Sequence, residues 1–186
     1  DTDERLLTPD GVLKAIHSAI SGVADHALLM TCFCAVIDPA TGPGAGQIHY
    51  ANAGQNFPYV MWRGAEGSLD SAQIIAASGN PLGDPRLTQN VRRGSVALRP
   101  GDVLVVFTDG VVERQSPTGK LFGDRRLRTV LHGQRAVSER ELLALRQRVV
   151  DAVDACAEGT GAADDLTLVL VQYDPDIARD QVRTAS

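Results

Sequence analysis

The sequence predicts an α+β fold, with two mainly antiparallel sheets packed together and helices outside them. Three observations carry this expectation. The order of segments, a helix, then a run of strands, then helices, then a final strand, suits layered α+β architecture better than a βαβ repeat. Two strands, Val103-Leu-Val-Val-Phe107 and Leu168-Val-Leu-Val171, are continuously apolar instead of alternating, which predicts cover on both faces. The chain has 186 residues and shows no internal repeat or linker-like tract, so a single domain spanning 1–186 is expected.

Each element has a local reason. Thr8 followed by Pro9 marks a helix start, and Val12, Leu13, Ile16, Ile20 and Val23 recur at helical spacing, so a helix is expected from about Pro9 to Asp25. Strands are expected at Leu28 to Ile37, Gln47 to Asn52, Pro58 to Trp62, Ala72 to Ala76, Asn90 to Leu98, Val103 to Thr108 and Leu166 to Gln172. Turn signals separate them, among them Asp38-Pro39, the glycine-rich Gly42 to Gly46, Gly79-Asn-Pro81 and Arg99-Pro-Gly101. A short helix is expected from Asp124 to Leu131, stopped by Gly133. Ser138-Glu-Arg-Glu141 is a capping box, and Leu142, Leu143, Leu145, Val149, Val150, Val153 and Cys156 are expected to line one side of the longest helix before Gly159 ends the pattern.

Composition excludes several classes of function. With 18 basic against 23 acidic side chains the net charge is −5, and Arg92-Arg93 and Arg125-Arg126 are the only paired cations. Binding to nucleic acid or to an anionic membrane depends on concentrated positive charge, so neither is expected. The stretch from Ala27 to Ile37 is far short of the roughly 20 apolar residues that cross a bilayer, and no signal peptide is visible. The chain opens on Asp1 rather than Met, so it is expected to be a piece of a longer product. Cys32, Cys34 and Cys156 are an odd count with no C-x-x-C pair, which predicts buried free thiols in a reducing cytoplasm. His17, His26, His49 and His132 match no ligand spacing.

Chemistry concentrates at two strand ends. Thr108-Asp109-Gly110 follows one apolar strand and Asp164-Asp165-Leu-Thr167 precedes another. Antiparallel neighbours would bring these ends to the same edge of a sheet, where converging carboxylates repel unless a cation lies between them. Oxygen ligands without His or Cys select a hard ion, Mg2+ or Mn2+, over zinc. Asp109, Asp164 and Asp165 are therefore the candidate metal ligands, and Gly110 is expected to let the backbone turn sharply beside the ion. Taken singly, Asp-Gly and Asp-Asp are also ordinary turn pairs, and only their joint placement singles them out.

Leu104-Val-Val-Phe-Thr-Asp-Gly-Val-Val-Glu113, with Arg99-Pro-Gly-Asp102 before it and Gly119-Lys-Leu-Phe-Gly123 after it, resembles the C-terminal half of the PPM-type, metal-dependent protein serine/threonine phosphatases, in the stage II sporulation protein E branch. Met30-Thr-Cys-Phe33, Ile37-Asp-Pro39, Tyr50-Ala-Asn-Ala-Gly54, Gly79-Asn-Pro-Leu-Gly83 and Asp164-Asp-Leu-Thr167 fall in the family's order, so the resemblance covers 30–173. It implies an αββα sandwich, a binuclear Mn2+ or Mg2+ centre, and hydrolysis of phosphoserine or phosphothreonine on a partner protein, commonly a STAS-type anti-sigma-factor antagonist. Asp109 matches the family's T-D-G ligand and Asp164 the first acid of its D-D-x-T ligand motif, with Asp165 adjacent; no catalytic residue separate from the metal ligands is implied.

The chain also departs from the family pattern. An N-terminal G-D-x-x-D strand and a G-D-V-x-G-H-G turn hold the ions from the opposite side in the family, and neither occurs among these residues. Gly101-Asp-Val103 is a false echo of the second. Gln55 stands where the family often has His after Ala-Gly, and Gln can hydrogen-bond but cannot carry a proton. The N-terminal strands of the family fold are accordingly expected to be absent, the metal site to be halved, the activity of this chain alone to be impaired, and open sheet edges to favour a homo-oligomer. The alternatives are a non-catalytic phosphatase-like binding module and a hydrolase of small phosphate compounds.

Overall fold

The computed structural model describes residues 8–23, 28–38, 46–84, 86–87, 89–159 and 164–175. They group into two compact units, one drawn from 8–57 and 75–98, the other from 58–74 and 99–175.

The first unit opens with helix α1 (Pro9–Val23). Thr8 starts it as the sequence predicts: its carbonyl accepts from the Val12 N–H at 2.9 Å and its hydroxyl from the Gly11 N–H at 3.3 Å. Strands β1 (Cys32–Asp38), β2 (Gly46–Ala53) and β5 (Arg93–Leu98) form an antiparallel sheet in the order β1-β2-β5. The core joins Leu13 of α1 to Ala51, Ala53, Leu82 and Val91, with Ile16, Met30, Cys32 and Cys34 packed against them. The thiols are free, as expected, but half-buried rather than buried. Partial burial still pushes the Cys32 and Cys34 thiols above their ordinary pKa, which keeps them protonated and inert.

The second unit holds β3 (Tyr59–Arg63), β4 (Leu69–Ile74), β6 (Val103–Phe107) and β7 (Leu168–Gln172), all antiparallel, in the order β4-β3-β6-β7. A single 3-10 turn (Ala65–Gly67) connects β3 to β4. Helices α2 (Asp109–Val112), α3 (Gly123–Leu131) and α4 (Glu139–Ala157) follow β6. Leu145, Val149, Val153 and Ala157 recur every four residues on α4 and are buried, and the first three share one apolar cluster with Val103, Val105 and Phe107. The predicted capping box forms with one shift: the Ser138 hydroxyl accepts from the Glu141 N–H at 3.3 Å, while the Glu141 carboxylate accepts from the N–H of Val137, one residue before the cap, at 2.9 Å. Termination begins at Glu158, φ 47°, one residue before Gly159.

Four expectations need correction. β6 is covered on both faces, but β7 is an edge strand and Val169 is 46% exposed, since an apolar run reports residue type and not the number of neighbouring strands. Leu28 and Leu29 lie outside β1 and are exposed; only Met30 beyond it pairs, in an isolated bridge to Leu82. The strand expected at Ala72 to Ala76 is Leu69–Ile74, drawn forward by pairing with β3. The strand expected from Asn90 starts at Arg93, where the ladder with β2 begins. The end of the helix expected to reach Asp25, His26 and most of the Gly42 to Gly46 loop lie outside the described residues.

Candidate metal centre

β6 and β7 are adjacent and antiparallel from Val103↔Gln172 to Phe107↔Leu168. The C-terminal end of one and the N-terminal end of the other therefore meet at one edge, and three backbone and side-chain bonds extend the pairing past the strands. The Thr108 N–H donates to the Thr167 carbonyl at 3.1 Å, the Thr108 hydroxyl accepts from the Thr167 N–H at 3.0 Å, and the same hydroxyl donates to the Asp165 carbonyl at 3.3 Å. Thr108 thus ties the Asp109 segment to the Asp164-Asp165 segment, a role the sequence reading did not assign to it. The signal was present: a hydroxyl residue directly before Asp-Gly at the end of a buried strand.

Asp109 begins the one-turn helix α2, closed by the Glu113 N–H donating to the Asp109 carbonyl at 2.7 Å. Its side chain is exposed, and Oδ1 accepts from the Gly110 N–H at 3.0 Å. Asp164 is built the same way, exposed, with Oδ1 accepting from the Asp165 N–H at 2.7 Å. Each carboxylate is oriented by the amide that follows it, while its second oxygen makes no hydrogen bond among the described residues. Asp165 is exposed beside them and contributes its carbonyl to Thr108.

Gly110 is required for a different reason from the one expected. Its φ is not positive, so no sharp turn demands glycine. It is buried under the Asp165 backbone: a Cβ built there falls 2.9 Å from the Asp165 carbonyl carbon and closer still to its oxygen. The missing side chain lets the two acidic segments approach.

The donor set fits a hard cation in kind, being all oxygen with neither thiol nor imidazole in it. It does not fit in number: among the described residues no three His, Cys, Asp or Glu side chains stand close enough together to hold a metal ion. This is half a site at most.

The remaining motifs serve structure. In the second unit Asp102 is fully buried and accepts from the Arg63 N–H at 2.8 Å and the Arg99 N–H at 2.7 Å, while Arg99 Nε stands 3.7 Å from it. Gly101 takes φ +88° to close that turn, which a side chain would strain. The Tyr59 hydroxyl donates to Asp124, and burial first, then that carboxylate, pushes the phenol well above its ordinary pKa. In the first unit Asn52 is buried; its Oδ1 accepts from the Gln55 N–H and its Nδ2 donates to the Gln55 carbonyl, both at 2.8 Å. The Gln55 side-chain oxygen accepts from the Thr31 hydroxyl at 2.8 Å. His17 Nδ1 accepts from the Gly83 N–H at 3.1 Å, a structural use of the ring.

Comparison with known proteins agrees with this architecture. The sequence model of the family described as Stage II sporulation protein E (SpoIIE) matches residues 2–174. Protein IcfG of Synechocystis sp. (strain ATCC 27184 / PCC 6803 / Kazusa) is 28% identical over 148 residues, 79% of this chain and 21% of that protein. The chain therefore spans about a fifth of the length of that curated relative. Among solved structures, the PP2C phosphatase domain with a fragment of the regulatory domain of the cell fate determinant SpoIIE from Bacillus subtilis superposes with TM-score 0.69 at 21% identity, over 93% of this chain and 47% of that one. The SiaA-PP2C domain of Pseudomonas aeruginosa gives 0.65 at 18% identity, over 93% and 66%. The RsbU and RsbW domains of Rv1364c from Mycobacterium tuberculosis give 0.59 at 22%, over 92% and 48%. The shared fold is the mixed one found here, with two antiparallel sheets and helices.

Proposed function

Because this chain belongs to the stage II sporulation protein E family, we propose that it takes part in metal-dependent dephosphorylation of phosphoserine or phosphothreonine on a regulatory partner protein. The observation that carries the reading is the Thr108 clasp, which joins the Asp109 and Asp164-Asp165 segments at one sheet end. Asp109 and Asp164, with Asp165 adjacent, would hold Mn2+ or Mg2+ through the oxygens left unbonded by their own backbone amides. When bound, such ions lower the pKa of a coordinated water and neutralise charge on the phosphate during in-line displacement.

What the chain itself contributes is placement. The Gly110 and Asp165 N–H groups each fix one oxygen of the preceding carboxylate, so the other projects in a set direction. The bare Cα of Gly110 allows the Asp165 backbone to lie against α2. Two or three carboxylates from one side bind a binuclear centre weakly, and the G-D-x-x-D and G-D-V-x-G-H-G motifs that would complete it are absent from this sequence. Low turnover by the 186-residue chain alone follows. The substrate proposed by resemblance is a phosphorylated STAS-type anti-sigma-factor antagonist.

Three free thiols suit a reducing cytoplasm, and no helix among the described residues is long and apolar enough to cross a membrane. The edge position of β7, with Val169 exposed, suits pairing with a second copy. The absence of a three-ligand cluster among the described residues favours the second reading, a phosphatase-like module that binds a partner without turnover.

Phosphate release from a phosphorylated STAS domain separates the readings. A longer gene product carrying both glycine-aspartate motifs should release phosphate only with Mn2+ or Mg2+, and should lose at least about a hundredfold in rate on Asp109→Ala or Asp164→Ala. Activity in the 186-residue chain that survives both substitutions refutes the metal assignment. Partner binding without release by the longer product supports the module.

A further inference from the structure

A groove of about 730 Å³ runs between α3 and the C-terminal part of α4, bounded at one side by the Lys120-Leu-Phe122 segment. Its floor is apolar, with Phe122 and Val130 facing Ala152, Ala155 and Cys156. The three small residues of α4 stand at positions i, i+3 and i+4 and so share a face, and their short side chains leave the depression. Leu121, 46% exposed, forms one lip.

The rim is cationic. Lys120, Arg125 and Arg126 line it, and no Asp or Glu does. None of the three makes an ion pair among the described residues, although acids outnumber bases in the chain. The one acid of α3, Asp124, is engaged by the Tyr59 hydroxyl. On the α4 side, Asp151 accepts from the Gln147 side chain at 2.9 Å and is not part of the lining. Arg126 does not extend into solvent: its Nη1 donates to Cys156 Sγ at 2.9 Å, so the guanidinium lies across the apolar floor. Uncompensated positive charge around an apolar depression is complementary to a ligand with both anionic groups and a large apolar anchor.

We propose that this groove docks an acidic segment of a partner protein, seating one large apolar side chain on Ala152, Ala155 and Cys156 and pairing its carboxylates with Lys120, Arg125 and Arg126. The size falls within the range of pockets that enclose a compact ligand group, and peptide recognition by a buried anchor with charged flanks is a recurring mode. A nucleic acid fits less well, because the chain is net negative and no exposed aromatic stacking platform lines the groove. A bilayer fits less well because the apolar surface is concave. Docking uses none of Asp109, Asp164 and Asp165, so it stands or falls apart from the phosphatase reading.

The test is fluorescence anisotropy of the full chain, without metal, against a labelled peptide of about a dozen residues with Leu and Phe at its centre and Glu and Asp around them. Saturable binding is expected. It should weaken by about tenfold or more in Lys120→Glu with Arg125→Glu, which change exposed side chains only, and in Ala155→Trp, which fills the floor. Arg148→Glu, on α4 outside the groove, should leave it within about twofold. Absence of binding overturns the proposal. So does equal binding by Ala155→Trp, or by a peptide with Ser replacing Leu and Phe, since charge alone would then explain it. Preference for phosphatidylglycerol vesicles or polyphosphate over the peptide overturns it in favour of a lipid surface or a simple polyanion. Circular dichroism of each variant shows that a lost signal is not lost folding.

Discussion

Gly110→Ala sets two effects of opposite sign against each other. Gly110 lies inside a helical turn, where alanine is intrinsically better by about 0.5–1 kcal/mol, partly because the unfolded chain has less freedom to lose. Against this, the added methyl would stand 2.9 Å from the Asp165 carbonyl carbon and nearer still to the oxygen. That obstacle is backbone, tied by the Thr108 hydroxyl, and cannot rotate away as a side chain would. Forcing a methyl into a packed site costs about 1–3 kcal/mol, and an immovable neighbour puts this case at the upper end. The net expectation is a loss of about 1–2 kcal/mol, or a fall of roughly 0.5–1 M in the urea midpoint at typical slopes. The damage should be local, so the Thr108 and Thr167 amides should exchange faster while those of β3 and β4 hold. An unchanged or raised midpoint, with the Thr167 amide still protected, would refute the claim that close approach is what glycine supplies.

Three further outcomes follow from named contacts. Asp102→Asn keeps one acceptor but turns an amide NH2 toward a buried N–H of Arg63 or Arg99, and should cost about 1–3 kcal/mol by urea unfolding. Thr108→Val preserves shape but removes the clasp; it should lose about 1–3 kcal/mol and weaken metal binding measured by calorimetry, while Thr108→Ser retains both. The Val137 N–H, with Arg135 and Ser138, holds the Glu141 carboxyl below its ordinary value of 4.5, so its stabilisation is complete above that value and is lost as pH falls through the lowered one. The protection of amides in the first turn of α4, taken relative to their intrinsic exchange rate at each pH, should therefore fall on acidification, and Glu141→Gln should remove that dependence.

Much of the fold was legible where one physical cause dominated. The apolar run of β6, the Thr8-Pro9 start of α1 and the Ser138 capping box each encode structure within a few residues. Failures came where neighbours decide. Val169 has the composition of a buried strand, but the sheet ends beside it. α2 is a four-residue helix, too short to show a period, and it took the place of a turn. At the candidate site residue type and strand order were enough to bring the Asp109 and Asp164-Asp165 segments to one sheet end, yet the parts played by Gly110 and Thr108 depend on how closely the Asp165 backbone passes, a distance no spacing reveals.

The β6-β7 ribbon is fastened at both ends. Beyond Val103↔Gln172 the Gly101 N–H donates to the Tyr173 carbonyl at 2.8 Å and the Tyr173 N–H to the Asp102 carbonyl at 2.9 Å; beyond Phe107↔Leu168 lies the Thr108 clasp. Such a ribbon works as a gauge of fixed length. Sliding one strand past the other by a single step would unhook both ends at once and turn every side chain to the opposite face. The longitudinal position of Asp109 relative to Asp164 is thereby calibrated from a buried anchor a full strand away, at Asp102. Tolerance at the acidic end is set by workmanship at the far one, and a defect introduced there would be read out as a slip of the Asp109 segment against the Asp164-Asp165 segment.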